Sequence, residues 1–229
     1  MASGSITIED TLCVPADVFE FERFRAWAHS DSFPRTGKIA FIDGDIEIDM
    51  SPEELDSHNR VKRDISTDLN NFVRQTDAGD LLVDGALLIN QAAGLATEPD
   101  LLFCSWESLR DGRVVYSSFV EESDRLVEVH GSPDLVCEIV SKGSVGKDTV
   151  RLRKSYFQAG IPEYWLIDAR RQEISFQVLV RGKSAYVVSK ADRKGYSLSP
   201  VFGRKVRLVR RENRLGVSDY RLLFQPEAL

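Results

Sequence analysis

The chain has 229 residues, 42% hydrophobic and 29% charged, enough to bury a proper core as one domain, and no long Gly, Ser or Pro linker divides it. No run approaches the roughly 18 apolar residues that span a bilayer. The first residues, MASGSITIEDTLCVPADVF, carry acids where a secretory leader has bases and an apolar centre, so a cytoplasmic protein is expected. The net charge of −6 counts against a general nucleic-acid coating protein, which draws most of its affinity from neutralising phosphates.

In chain order, residues 15–30 predict an amphipathic helix with Phe19 and Trp27 on one side and acids in its first turn, where the helix dipole favours them. KIAFID and DIEIDM flank Gly44 and predict a hairpin turning at Asp43-Gly44, a pair that tolerates positive φ. Val61, Ile65, Leu69 and Phe72 recur at helical spacing, which predicts a helix over residues 57–75. Residues 80–89 and 99–104 read as strands, and residues 106–124 show no convincing period. Residues 127–141 predict a strand interrupted near Gly131. Residues 148–159 predict a helix with Asp148 as N-cap and Gly160 as its stop. A short buried strand at 163–168 and an antiparallel run at 172–180, 184–190 and 206–209 complete an α/β sheet core flanked by helices. The cysteines Cys13, Cys104 and Cys137 are odd in number and lack metal-type spacing, so they are expected as reduced, buried thiols.

The chemistry concentrates in residues 133–168, PDLVCEIVSKGSVGKDTVRLRKSYFQAGIPEYWLID. Asp134 and Glu138 lie four apart in a strand-forming run, so a pleat of period two turns both to one face. Asp100 opens a second apolar run, PDLLF, and if the two strands are neighbours their carboxylates converge. A hard divalent cation needs such convergence, since Mg²⁺ takes oxygen ligands from one or two carboxylates, water and phosphate. The alternative for each acid is a turn cap or an ion pair at a strand end. Charge is uneven: Lys142, Lys147, Arg151, Arg153 and Lys154 face a single acid, Asp148, within residues 142–154. This predicts an electropositive mouth beside the acids.

The order of Pro99-Asp100, a long insert, the Glu138-Ile139-Val140 strand and AGIPEYWLID resembles the PD-(D/E)XK nuclease superfamily. More narrowly, the chain is similar to the bacterial restriction-endonuclease-like Uma family, whose signature runs roughly PDLVVEVLSP, a D-x-x-x-K-x-x-x-Y helix, then AGVPEYWLVD. FIDGDIEIDMSP (residues 41–52) with His58, and GYSLSPVFGRKVRL (residues 195–208), extend the resemblance over most of residues 15–210. It implies a restriction-endonuclease-like α/β fold in which helices flank a twisted mixed β-sheet with extra antiparallel C-terminal strands, one domain over residues 1–229 with a core at about 15–210. It also implies an endonuclease that uses Mg²⁺ (or Mn²⁺) to hydrolyse DNA, with Asp100 and Glu138 as metal ligands and the backbone carbonyl of Ile139 as a third. DNA is the implied partner, a homodimer is left open, and no membrane is involved.

The lysine departs from the family pattern. The superfamily position two after the glutamate is Val140, and the family position four before Tyr156 is Leu152. Lys147, just before the predicted helix, is the nearest substitute and completes the catalytic set of Asp100, Glu138 and Lys147; Lys142 and Lys154 are weaker candidates. His58 matches a family histidine and is read as a water or phosphate contact or as structural. Asp45, Glu47 and Glu54 are candidates for an extra upstream acid, because Ala40 stands where the family often has glutamate. Trp165 and Tyr164 read as core, and His29 and His130 as incidental. The rival to the enzyme is an inactive nucleic-acid- or protein-binding module on the same scaffold, and a third reading makes the acids structural in a small-molecule or protein-binding domain.

Overall fold

The computed structural model describes residues 5–8, 12–119 and 125–225. Ser5–Ile8 (β1) and Leu12–Pro15 (β2) pair antiparallel, and Phe21–Ala28 (α1) follows. Lys38–Ile42 (β3) and Asp45–Asp49 (β4) form the expected hairpin, closed by Asp43 and Gly44 at φ 53° and 87°, the left-handed values a tight turn requires. A π-type turn over Leu55–Asn59 runs into Arg60–Thr76 (α2). Then come Gly79–Val83 (β5), Leu87–Asn90 (β6), Leu95–Thr97 (β7), Leu101–Ser105 (β8), Trp106–Arg110 (α3) and Val114–Ser117 (β9). Glu128–Gly131 (β10) and Leu135–Ile139 (β11) precede a π-type turn, Lys147–Leu152, continued by Arg153–Gln158 (α4). The remaining strands are Glu163–Asp168 (β12), Ser175–Arg181 (β13), Tyr186–Val188 (β14), Ser197–Ser199 (β15), Arg204–Glu212 (β16) and Ser218–Phe224 (β17).

The sheet that organises the site has the order β14-β13-β12-β11-β8-β5. It is mixed: β11 and β12 run parallel, joined by the helical crossover through α4, and the other pairs are antiparallel. Strand alternation divides its side chains between two cores. Leu101, Phe103, Leu135, Cys137 and Ile139 pack with Val61, Ile65, Leu69 and Val73 of α2. These four α2 side chains are almost completely buried, a contribution of roughly 1.5–3 kcal/mol each. Leu102, Cys104, Val136 and Val140 face the other way, toward Leu152, Tyr156 and the residues Ala40 and Ile42 of β3. A second sheet, β4-β3-β7-β6-β10-β9, carries α1 through Phe24, Trp27, Ile39 and Phe41, and β15-β16-β17 form the antiparallel C-terminal sheet. Among the described residues, no helix is long and apolar enough to cross a membrane.

Several expected elements differ. The helix of residues 15–30 shrinks to α1, because Pro15 ends β2 and residues 15–20 fold into turns, leaving Phe19 exposed. The single strand of residues 80–89 breaks at Asp84 and Gly85, both at positive φ, so that β5 and β6 enter different sheets. Likewise the interruption near Gly131 separates β10 from β11. Gly131 sits at φ 107°, and a side chain there would run into the Arg113 carbonyl. Asp148 is not an N-cap: it lies inside the π-type turn, buried, and its carboxylate accepts from Ser144 Oγ. All three cysteines are free; Cys104 and Cys137 are buried as expected, and Cys13 is exposed. Part of the aperiodic stretch, residues 120–124, lies outside the described residues.

Candidate metal and phosphate site

Asp100 and Glu138 come together through strand pairing. Strands β8 and β11 are antiparallel with Cys137 opposite Leu101, so continuing the register sets Glu138 beside Asp100. Parity turns both to one face, with Leu102 and Cys104 on one strand and Val136 and Val140 on the other. Asp100 Oδ2 accepts the Ile139 N–H at 2.8 Å, and Tyr156 donates its hydroxyl to Glu138 Oε1 at 2.5 Å. Both acids are buried yet line one cavity of about 750 Å³, bordered also by Lys38, Glu53, His58, Ile139, Lys147 and Asp148.

Basic groups crowd Asp100. Lys38 Nζ, from the start of β3, lies 2.5 Å from its Oδ1, and Lys62 Nζ, from α2, lies 3.5 Å from the same oxygen. His58 Nε2, from the π-type turn, is 3.4 Å from Oδ2. Burial alone would raise the Asp100 carboxyl, but His58 and the two lysines hold it far below the ordinary range. Glu138 has no such escort. Burial, followed by repulsion from Asp148 and only partly offset by Lys147, pushes its carboxyl up to about 8. Lys147 is itself raised above the usual lysine value, because attraction to Glu138 and Asp148 overcomes the cost of burial. It therefore stands in the cavity as an ammonium, 3.5 Å from Asp148.

The remaining expected residues sort differently. Asp134 does not join the site: it accepts from the Ser105 N–H and Ser108 Oγ, both at 2.7 Å, and pairs with Arg113, so it closes a turn. Two of the five cations of the expected electropositive mouth are neutralised by the hairpin β3-β4. Arg151 pairs with Asp45 at 2.9 Å and with Glu47, and Lys154 pairs with Asp43 at 2.8 Å. Asp45 and Glu47 are thereby used up, Glu54 accepts from Ser57, and Lys142 is exposed. Val140 and Leu152, at the two vacated lysine positions, are buried in the core. Tyr164 and Trp165 are core residues, as expected. His29 and His130 are not incidental but both contact the buried Glu128.

Lys38, Lys62 and Glu53 were not singled out from the sequence. The His58 to Lys62 spacing of four was a usable signal, since it sets both on the side of the helix that also carries Ile65 and Leu69. Lys38 carried a weaker one, a charge opening an otherwise apolar strand. Glu53 accepts from Lys62 at 2.5 Å and lies 3.5 Å from His58 Nδ1. Ligand atoms of Glu53, His58 and Asp100 lie within 4.8 Å of one another, and among the described residues the buried His58 Nδ1 has no hydrogen-bond partner. Carboxylate oxygens with a nearby imidazole suit a divalent cation, the oxygens serving Mg²⁺ and the nitrogen widening the choice to Mn²⁺. This cluster shares Asp100 with the expected ligand pair but takes Glu53 and His58 where Glu138 was expected, and its chemistry suits a divalent cation.

No curated protein matches this sequence. A crystal structure described as a putative nuclease belonging to DUF820 from Anabaena variabilis ATCC 29413 superposes with a TM-score of 0.58 at 17% identity, over 80% of this chain and 90% of that one. That likeness is one of fold, and it agrees with the restriction-endonuclease-like architecture expected from the sequence. A family model, Uma2, described as "Putative restriction endonuclease", matches residues 21–209, and because this is most of the chain, the protein belongs to the Uma2 family.

Proposed function

We propose that the protein is a divalent-metal-dependent endonuclease that hydrolyses DNA phosphodiester bonds, working as a single domain in which Asp100, Glu138 and Lys147 form the catalytic set. The observation that carries this reading is the delivery of two buried acids, from adjacent strands, to one cavity that also holds lysine ammonium groups. Asp100 and Glu138, with the Ile139 carbonyl, would hold Mg²⁺ or Mn²⁺. When bound, such an ion polarises the phosphate and lowers the pKa of a coordinated water.

The chain's own residues do the rest. Tyr156 fixes the direction of Glu138 through its hydroxyl, and the Ile139 N–H fixes Asp100. Lys147 is a cation rather than a base, given its raised pKa, and so acts on charge developing on the phosphorus oxygens. The packed walls around Leu152, Val140 and Tyr156 keep bulk water from the inner side.

The test is cleavage of supercoiled, linear and single-stranded DNA with Mg²⁺ or Mn²⁺, using Asp100→Ala as control. Metal-dependent cleavage lost in Asp100→Ala and reduced by Lys147→Ala supports the reading. Wild-type protein inert on all three substrates would point to the inactive binding module. The paired state of Arg151 and Lys154 and the net charge of −6 favour the protein-binding form of that second reading, since they remove two of the expected DNA-docking cations.

A further inference from the structure

Lys38 and Ala40 lie two apart in β3, and the strand period turns both to the same side. Both border a smaller cavity of about 140 Å³ shared with Lys147, so the short Ala40 side chain leaves room beside the lysine. Lys38 crosses from there into the main cavity and ends on Asp100 Oδ1. The other Asp100 oxygen is tied to backbone at Ile139. The oxygen a metal ion can most readily take is therefore held by an ammonium on a flexible, 27% exposed side chain. Lys62 Nζ stands farther off, 3.5 Å from the same oxygen, so a divalent ion at contact distance there meets its strongest repulsion from Lys38.

We propose that Lys38 is the resident counter-cation of this site: it caps Asp100 until a divalent ion displaces it, and once displaced it remains in the cavity as a phosphate contact. The proposal rests on the metal-site reading above. It gives Lys38 opposite effects on two measurements, weakening metal affinity while aiding cleavage, and a merely structural lysine has no such split.

The experiment is titration calorimetry of the full chain with Mn²⁺, melting with and without Mn²⁺, and cleavage at saturating Mn²⁺, for wild type, Lys38→Met and Lys38→Arg. Lys38→Met is expected to bind Mn²⁺ about tenfold more tightly and to gain more in melting temperature from the ion, because a repelled charge has been removed. It is also expected to cleave more slowly. Lys38→Arg should keep the wild-type affinity. A Lys38→Met chain that folds only with Mn²⁺ supports the proposal, since the ion then replaces the ammonium. Equal or weaker Mn²⁺ affinity in Lys38→Met, or a chain unfolded under both conditions, overturns it while leaving a wild-type metal site intact. Tighter binding with unchanged cleavage overturns the phosphate contact. Absence of Mn²⁺ binding by both wild type and Lys38→Met sinks the metal-site reading itself.

Discussion

Glu128 in β10 and Glu138 in β11 are both 2% exposed, yet their surroundings drive their carboxyls in opposite directions. Around Glu128, burial is overcome by a two-pronged Arg25 contact at 2.6 Å to each oxygen, with His130 at 2.7 Å and His29 at 3.0 Å, and its carboxyl falls to about 2. Phe119 stacks on His29 and lies under Arg25, closing the cluster. Glu138 has one hydroxyl donor and two like-charged neighbours, Asp148 and Asp100, only partly offset by Lys147 and Lys38, and it opens onto a cavity. A buried acid whose hydrogen-bonding capacity is met from within joins α1 to the sheet beneath it. One left under-compensated beside open space is poised to receive a cation from outside.

The largest expected effect lies at the under-compensated site. Asp100→Ala should reduce metal-dependent DNA cleavage by at least about a thousandfold in single-turnover assays, since both the ion and the position of its water depend on that oxygen. Cleavage surviving in Asp100→Ala would detach the activity from this cavity.

Next is the closed cluster. Glu128→Gln leaves Arg25 without its anion and should lower unfolding stability by about 2–4 kcal/mol in urea melts. Its pH dependence follows from the depressed carboxyl: the stabilisation is fully present above about 4.5, the unfolded value, and is lost as pH falls toward about 2. Wild type should therefore lose stability across that window, and Glu128→Gln should show a shallower acid limb. Equal slopes would mean that the cluster contributes little.

Glu138→Gln carries the opposite sign. An acid raised to about 8 is a destabilising group at neutral pH, so the neutral isostere should stabilise the metal-free protein by about 1–2 kcal/mol while removing Mn²⁺-dependent stabilisation. Destabilisation by Glu138→Gln would erase the contrast between the two glutamates. The smallest effect belongs to Lys154, whose partner Asp43 is also exposed. Lys154→Ala should leave the melting temperature unchanged, and a large loss would give the hairpin contact a structural weight that surface pairs rarely have.

Much of the frame was legible in the chain itself. The apolar, strand-forming runs PDLLF and LVCEI, the helical spacing of Val61, Ile65 and Leu69, and the Asp43-Gly44 turn are local signals. They marked the strands, the helix behind them and the two acids as candidates, while the β8–β11 register sets Asp100 beside Glu138. Local signals also misled: residues 15–30 look amphipathic, but a turn after Pro15 takes the first part of that segment out of the helix.

What the sequence determined by itself was the family and, through that resemblance, the restriction-endonuclease-like fold, because contiguous motifs carry it; the same motifs marked Asp100 and Glu138 as candidates. Only the tertiary structure decided which charges meet. Lys38 and Asp100 are 62 residues apart, and Arg25 and Glu128 are 103 apart. Arg151 and Lys154, which look like a free basic face in sequence, turn onto hairpin acids more than 100 residues away. Electrostatic energy depends on separation and burial in space, and neither has a period along the chain.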